Sequence, residues 1–139
     1  MTFPENFIRG IPNSTYLNDG GSVGSHLFYF EGPAVNGNRE NSINWEDDNS
    51  VIEFTLAQTK DDGTLHFKAG AVVIPTEEIE RLSKRPTISS LLSYERKPLS
   101  DNPYHGNLLL SDTTSKANMK LIAAGLALAV TKIIVSKRK

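Results

Sequence analysis

The chain has no cysteine, and this absence excludes several kinds of chemistry at once. Disulfide frameworks, thiolate nucleophiles and cysteine-based zinc sites all require thiols. A chain without thiols suits a reducing compartment, and its first residues, MTFPENFIRG, lack the basic and then apolar pattern of a signal peptide. We therefore predict a cytoplasmic protein.

The chain also lacks a strong charge of either sign. Its 15 basic and 16 acidic residues give a net charge of −1, so no global electric field attracts nucleic acid. Its three histidines are scattered and have no metal-ligand spacing. The glycines of residues 19–25 precede a strand-like segment with no lysine nearby, unlike those of phosphate-binding loops. We predict no nucleic-acid partner, no metal and no cofactor.

No apolar run is long enough to cross a membrane. Residues 121–135 are the most apolar stretch, but as a helix they extend roughly 22 Å, whereas the apolar core of a bilayer is about 30 Å thick. Thr131 and Lys132 also interrupt the run. We therefore expect a helix that packs within the protein and no membrane attachment. Contact with a membrane surface or with a partner helix is the alternative.

The most regular pattern that is present lies between residues 51 and 74. Ile52, Phe54 and Leu56 alternate with polar or small residues, as in a half-buried strand, and a second alternation covers residues 65–73. Asp62 and Gly63 between them are a residue pair that tight hairpin turns prefer. The pattern predicts a central β-hairpin with three apolar pairs on one face: Ile52 with Val73, Phe54 with Ala71, and Leu56 with Ala69.

The remaining regular elements are shorter. Residues 75–85 predict a helix, because acidic residues come first, basic residues come last, and Pro86 follows. Residues 88–94 continue with a short run of helical spacing, for which a strand is the alternative because the run is so short. Strands are predicted near residues 26–31, 51–58, 64–74 and 106–110.

The two ends of the chain differ in character. Residues 1–25 are rich in Gly, Asn, Ser and Pro, which indicates a loosely packed or partly flexible segment, and residues 32–44 have the composition of a loop. Residues 114–135 predict a long helix that is apolar on almost every side. We predict a single α+β domain over residues 1–139, in which a mainly antiparallel sheet with its central hairpin packs on this helix.

The best catalytic or ligand-binding candidate is the loop of residues 101–107. His105 can act as a general base that Asp101 orients, and Tyr104 and Asn107 add polar groups. The opposing interpretation is an ordinary turn, because Asn-Pro and His-Gly are common turn pairs. His66 is predicted to face solvent on the hairpin, although it is a possible further member of this site.

For function, we predict a small non-enzymatic interaction domain that acts through a protein partner. Val51 and Val72 make one end of the outer hairpin face apolar, and the terminal helix is apolar as well. The alternative is a small enzyme or ligand-binding domain with its site at loop 101–107. A concave site at His105 favours the alternative, whereas an exposed apolar patch favours protein interaction.

Overall fold

One antiparallel sheet organises the part of the chain that the computed structural model describes, which is residues 5–46, 48, 50–86, 88 and 91–135. Within those residues the sheet has six strands in the order β4-β5-β2-β1-β3-β6. Three α-helices and two short 3₁₀ turns complete the described part of the fold. The predicted α+β class and the mainly antiparallel sheet are therefore confirmed. The strands are β1 (Asn6–Ile11), β2 (Asn38–Trp45), β3 (Gly70–Pro75), β4 (Leu92–Arg96), β5 (His105–Ser111) and β6 (Lys132–Val135), and the helices are α1 (Ser50–Ala57), α2 (Thr76–Ser83) and α3 (Lys116–Ala129).

The larger core lies between one face of the sheet and helices α2 and α3. Alternate residues of the paired strands point to this face, so Phe7 of β1 lies opposite Trp45 of β2 and Ile74 of β3. All three are almost fully buried, together with Ile122 and Leu126 of α3. The Ser115 side chain caps α3 by accepting a hydrogen bond from the Asn118 backbone N–H. This face is the main hydrophobic core of the described chain.

Helix α1 packs on the opposite face of the sheet. Ile8, Ala71 and Val73, which alternate with the residues of the main core, form a second buried cluster with Val51. Ile52 and Leu56 pack against this cluster from the same helix. The sheet thus has helices on both faces, and the smaller α1 layer leaves part of its face open.

The predicted hairpin over residues 51–74 is wrong, because its first half is helix α1. Val51 and Thr55 are buried and Ile52 and Leu56 pack beside them, which is the i, i+4 spacing of one helix face. The alternation read as a strand is therefore compatible with a helix over so short a run. The partners of β3 are not residues 52–56 but β1 and β6, so Ala71 pairs with Gly10 and Ile134.

The predicted turn at Asp62 and Gly63 does occur, although it joins a helix to a strand. Gly63 has a φ of +86°, a conformation that glycine adopts without strain. The Asp62 side chain accepts a hydrogen bond of 3.0 Å from the Thr64 backbone N–H. Local turn chemistry was thus predictable, but the type of element before the turn was not.

The predicted strand at residues 26–31 is also wrong, since Ser25–Phe28 forms a 3₁₀ turn. Side chains bind the backbone carbonyls that a strand would use in its ladder. Arg9 Nε donates to the Leu27 carbonyl at 2.9 Å, and Asn41 Nδ2 donates to the Phe28 carbonyl at 3.1 Å. Burial lowers the pKa of Arg9 to about 10, so its guanidinium stays charged at neutral pH.

The two ends of the described chain both supply strands. Asn6–Ile11, in the segment predicted to be loosely packed, forms β1 between β2 and β3, with Phe7, Ile8 and Ile11 buried. Helix α3 ends at Ala129 instead of near residue 135, and Lys132–Val135 pairs with β3 as edge strand β6. The change from helix to strand coincides with a run of mostly β-branched residues, which favour extended backbone. Among the described residues, none of the helices is long and apolar enough to span a bilayer.

Three further predictions concern the middle of the chain. The helix near residues 75–85 and the strand near 106–110 are confirmed by α2 and β5. The loop predicted at residues 32–44 is wrong from Asn38 onward, where β2 begins. Where we predict a short helical run to residue 94, Leu92–Arg96 forms edge strand β4.

Candidate functional site

A cleft of about 220 Å³ opens on the face of the sheet that carries α1. Strands β1 and β2 supply its floor through Ile8, Gly10 and Asn44, and α1 with its following loop supplies one wall. The opposite wall comes from the loop that precedes β5, where Leu99 and Asn102 line the space. The incomplete cover that α1 gives this face therefore produces a concave site.

Three of the residues that we singled out from the sequence meet at this cleft. Asp101, His105 and His66 all line it, although His66 comes from the loop after α1 and the other two from the start of β5 and its preceding loop. His66 is exposed, as predicted, and its ring contacts Phe67 with 4.5 Å between the ring centroids. The fold thus assembles a group that is separated along the chain.

Tyr104 and Asn107, the other two candidates, make structural contacts. The Tyr104 ring packs edge-on against Phe54 of α1, with 5.2 Å between centroids. Asn107 is buried in β5 and donates a hydrogen bond of 3.1 Å from Nδ2 to Glu95 Oε2 of β4. Tyr104 thus attaches the loop to α1, the two elements that form the walls of the cleft, and Asn107 attaches β5 to β4.

A connected set of polar side chains forms the base of the cleft. Asn102 Nδ2 donates to Asn44 Oδ1 at 2.8 Å, which links the loop to β2. Asn44 Nδ2 in turn donates to Thr55 Oγ1 at 2.7 Å and to Gln58 Oε1 at 3.1 Å, which links β2 to α1. We call these four residues the amide network.

The amide network is buried at its centre. The exposed fractions of Asn44, Thr55 and Asn102 are 5%, 1% and 4%. A buried amide or hydroxyl destabilises the fold by about 1–3 kcal/mol when it has no hydrogen-bond partner. Each of these three side chains both donates and accepts a hydrogen bond within the protein. The network therefore holds its geometry without a bound molecule.

His105 is oriented by the backbone of the same loop. Its Nδ1 lies 2.9 Å from the Lys97 carbonyl oxygen, which can only accept, so Nδ1 is the donor. In the neutral imidazole the lone pair is then on Nε2. Nε2 has no hydrogen bond within the described residues, and His105 is in position to act as a proton acceptor for a molecule in the cleft.

One side of the cleft is apolar because an aromatic ring lies directly on the sheet. A Cβ atom at Gly10 would be 2.1 Å from the Phe67 ring, so only glycine at this position allows the ring to approach the β1 backbone. Leu99, which is partly exposed, extends the apolar surface. The cleft therefore combines a polar base with an apolar side, as small-molecule sites commonly do.

Sequence reasoning missed Asn44, Thr55 and Gln58 and identified Asn102 only as part of the loop. Asn44 lies between the large apolar residues Ile43 and Trp45, a local sign of a polar group held within a strand. That sign was hidden because residues 32–44 were predicted as a loop. Thr55 and Gln58 were concealed by the prediction of a strand where α1 occurs.

The cleft has the groups for polar recognition and for proton transfer at one imidazole. Asp101 supplies an exposed carboxylate at the rim. In the described part of the chain, no group of three or more His, Cys, Asp or Glu residues is arranged to hold a metal ion.

The chain matches no protein-family model, and comparison with curated proteins and with solved structures gives no significant match.

Proposed function

We propose that the protein binds a small polar molecule in the cleft at the amide network. The observation that carries this proposal is the position of the network at the base of a concave site. Asn44, Thr55 and Asn102 are buried there although polar groups are costly to bury. Apolar residues would stabilise the same space more simply, whereas fixed amides can orient a ligand.

The size of the cleft limits the ligand. Pockets for drug-sized molecules have volumes of about 300–1,000 Å³. A cleft of about 220 Å³ therefore suits a compact metabolite or a single polar fragment of a larger molecule. The apolar surface of Phe67 and Leu99 accommodates a short carbon skeleton. His105 adds the capacity to remove a proton from such a ligand, which is the enzymatic form of the same proposal.

A screen of small polar compounds by ligand-observed NMR tests the proposal. Ser42→Phe fills the cleft, because Ser42 is an exposed β2 residue that lines it, and we expect this variant to lose the binders. Ser93→Phe is the matched control, since Ser93 is exposed in edge strand β4 and is not a lining residue. The proposal is contradicted if the compounds still bind to the Ser42→Phe variant, or if no compound binds to the unchanged protein.

Protein binding is the second candidate function, and the outer face of α3 favours it. Leu121 and Leu128 lie seven residues apart on one side of the helix, with exposed fractions of 54% and 88%. Helix α3 has no acidic residue and carries Lys116 and Lys120. Charge complementarity therefore favours an acidic protein segment with an apolar face as the partner.

Affinity capture from the native host tests this second function when it is combined with variants of the α3 surface. The double variant Leu121→Gln and Leu128→Gln should keep the fold, because both side chains are exposed, and should lose the partner. Capture should also weaken as salt increases. A partner retained by the double variant shows that α3 is not the binding surface.

A further inference from the structure

The hydrogen bonds of the amide network determine which way each of its side chains points. Thr55 Oγ1 donates to the Val51 carbonyl at 2.8 Å, and a carbonyl can only accept. The Thr55 oxygen must therefore accept from Asn44, which places the NH₂ group of Asn44 toward α1 and its oxygen toward Asn102. At the other end, Asn102 Oδ1 accepts from the Tyr104 backbone N–H at 3.0 Å.

Two amide NH₂ groups that line the cleft have hydrogen atoms without a partner in the described part of the chain. Gln58 uses Oε1 to accept from Asn44, so its Nε2 carries two N–H donors without a partner among the described residues. Asn102 Nδ2 gives one hydrogen to Asn44, and its second has no partner among the same residues. The Ser42 hydroxyl lines the cleft as well. The two amides therefore offer donors at the base of the cleft, and the Ser42 hydroxyl can donate or accept.

A donor-lined base selects a ligand with acceptor oxygens. Backbone and amide N–H groups bind carboxylates through short, charge-assisted hydrogen bonds. Neither lysine nor arginine is among the described residues that line the cleft, and Asp101 lies at its rim, so a phosphate dianion is disfavoured there more strongly than a singly charged group. A carboxylate carries only one negative charge spread over two oxygens, and it fits two amide donors.

We infer that the cleft binds a small monocarboxylate, whose oxygens accept hydrogen bonds from the Gln58 and Asn102 side-chain amides. This inference rests on the proposed function and specifies its ligand class. The carbon chain of the acid lies against Phe67 and Leu99. Asp101 at the rim can accept a hydrogen bond from an amino or hydroxyl group on the same molecule.

Titration with acetate, lactate and β-alanine, followed by ¹H–¹⁵N NMR, tests the inference because side-chain NH₂ groups give separate signals. We expect the Gln58 and Asn102 NH₂ signals to shift, and acetamide and inorganic phosphate to have little effect. Gln58→Glu keeps an oxygen that can accept from Asn44 and replaces the two donors by a carboxylate oxygen. This variant should bind the acids with an affinity that is lower by about tenfold to a hundredfold.

The matched control is Asn36→Asp, which makes the same change in net charge in an exposed turn. Asn36 has a φ of 52°, which aspartate also tolerates, and it does not line the cleft. The inference is supported if the acids shift the NMR signals of the two amides, bind weakly to Gln58→Glu and bind Asn36→Asp as they bind the unchanged protein. Acids that bind equally to Gln58→Glu overturn it.

A different pattern separates this inference from the proposed function. If the acids have no effect but other small molecules bind and are lost in Ser42→Phe, the monocarboxylate is wrong and the cleft is still the site. If neither the acids nor any other screened compound bind in the cleft, both statements fail.

Discussion

Tyr94 illustrates how one polar contact joins two elements at the edge of the main core. Its hydroxyl, on β4, donates a hydrogen bond of 2.7 Å to Glu80 Oε1 on α2. Its ring makes edge contacts with Phe7 and Trp45, at 5.1 and 5.6 Å between centroids. Burial raises the pKa of the Tyr94 hydroxyl above its ordinary value, and the hydrogen bond to Glu80 and the charge of Glu80 raise it further.

This raised pKa predicts a loss of stability at alkaline pH. The folded state holds the Tyr94 proton more tightly than the unfolded state, so its contribution is complete below the unfolded pKa of about 10 and declines as pH rises above it. Tyr94→Phe should remove that part of the decline and cost about 1 kcal/mol at neutral pH. Urea unfolding of both proteins between pH 7 and pH 11 measures the difference. If the free energies of unfolding of the two proteins decline in parallel as pH rises, the prediction is contradicted.

At the scale of elements, α1 depends on the sheet for both its position and its type. Its apolar residues pack on Ile8, Ala71 and Val73 of β1 and β3. Thr55 links it to β2 through the hydrogen bond from Asn44. An eight-residue helix is marginal in water by itself, so these tertiary contacts stabilise it.

Removal of the Thr55 hydroxyl should therefore destabilise the attachment of α1. Thr55→Val keeps the shape and leaves one buried N–H of Asn44 without its partner, which should cost about 1–3 kcal/mol. Thr59→Val is the matched control, because Thr59 is exposed. Chemical denaturation compares the two variants. Equal stabilities would mean that the Asn44–Thr55 hydrogen bond contributes nothing.

The order of the strands also explains why single elements were easier to predict than their partners. β1 lies between β2 and β3, and β2 between β1 and β5, so the central pairs join segments that are far apart in the chain. The paired residues Ile8 and Asn44 are one example. Local patterns carry no information about such pairs, because they report only which side chains share a face.

At the scale of the whole molecule, the sheet separates two layers that share one set of strands. Helices α2 and α3 pack on one face, and α1 with the cleft lies on the other. The cleft is thus on the side with the smaller cluster of buried apolar residues, where cover is incomplete. Strands β1 and β2 form its floor, and their other face packs against the main core.

Two layers on one sheet should unfold together. Thr55→Val acts in the α1 layer and Tyr94→Phe in the α2 layer, and the contacts named above for the two side chains have no residue in common. The free energy of unfolding of the double variant should therefore fall by the sum of the decreases in the two single variants, to within about 0.5 kcal/mol. Calorimetry should show one transition. Two resolved transitions would show that the layers unfold separately and would contradict the predicted single domain.

The sequence by itself determined the features that depend on neighbouring residues. The order of charges predicts α2, the Asp62–Gly63 pair predicts its turn, and the apolar run predicts β5. The lack of cysteine settles which chemistries are impossible. Cytoplasmic localisation and a protein partner stay predictions, because neither composition nor fold tests them.

Only the tertiary structure decided what residues 51–57 become and which polar groups meet. A short apolar alternation satisfies both strand and helix spacing, and packing on Ile8 and Ala71 selects the helix. That selection then turns Thr55 and Gln58 toward Asn44 and leaves a cleft beside His105. A site of this kind depends on distances between segments that are remote in the chain, and the free energy of packing sets those distances.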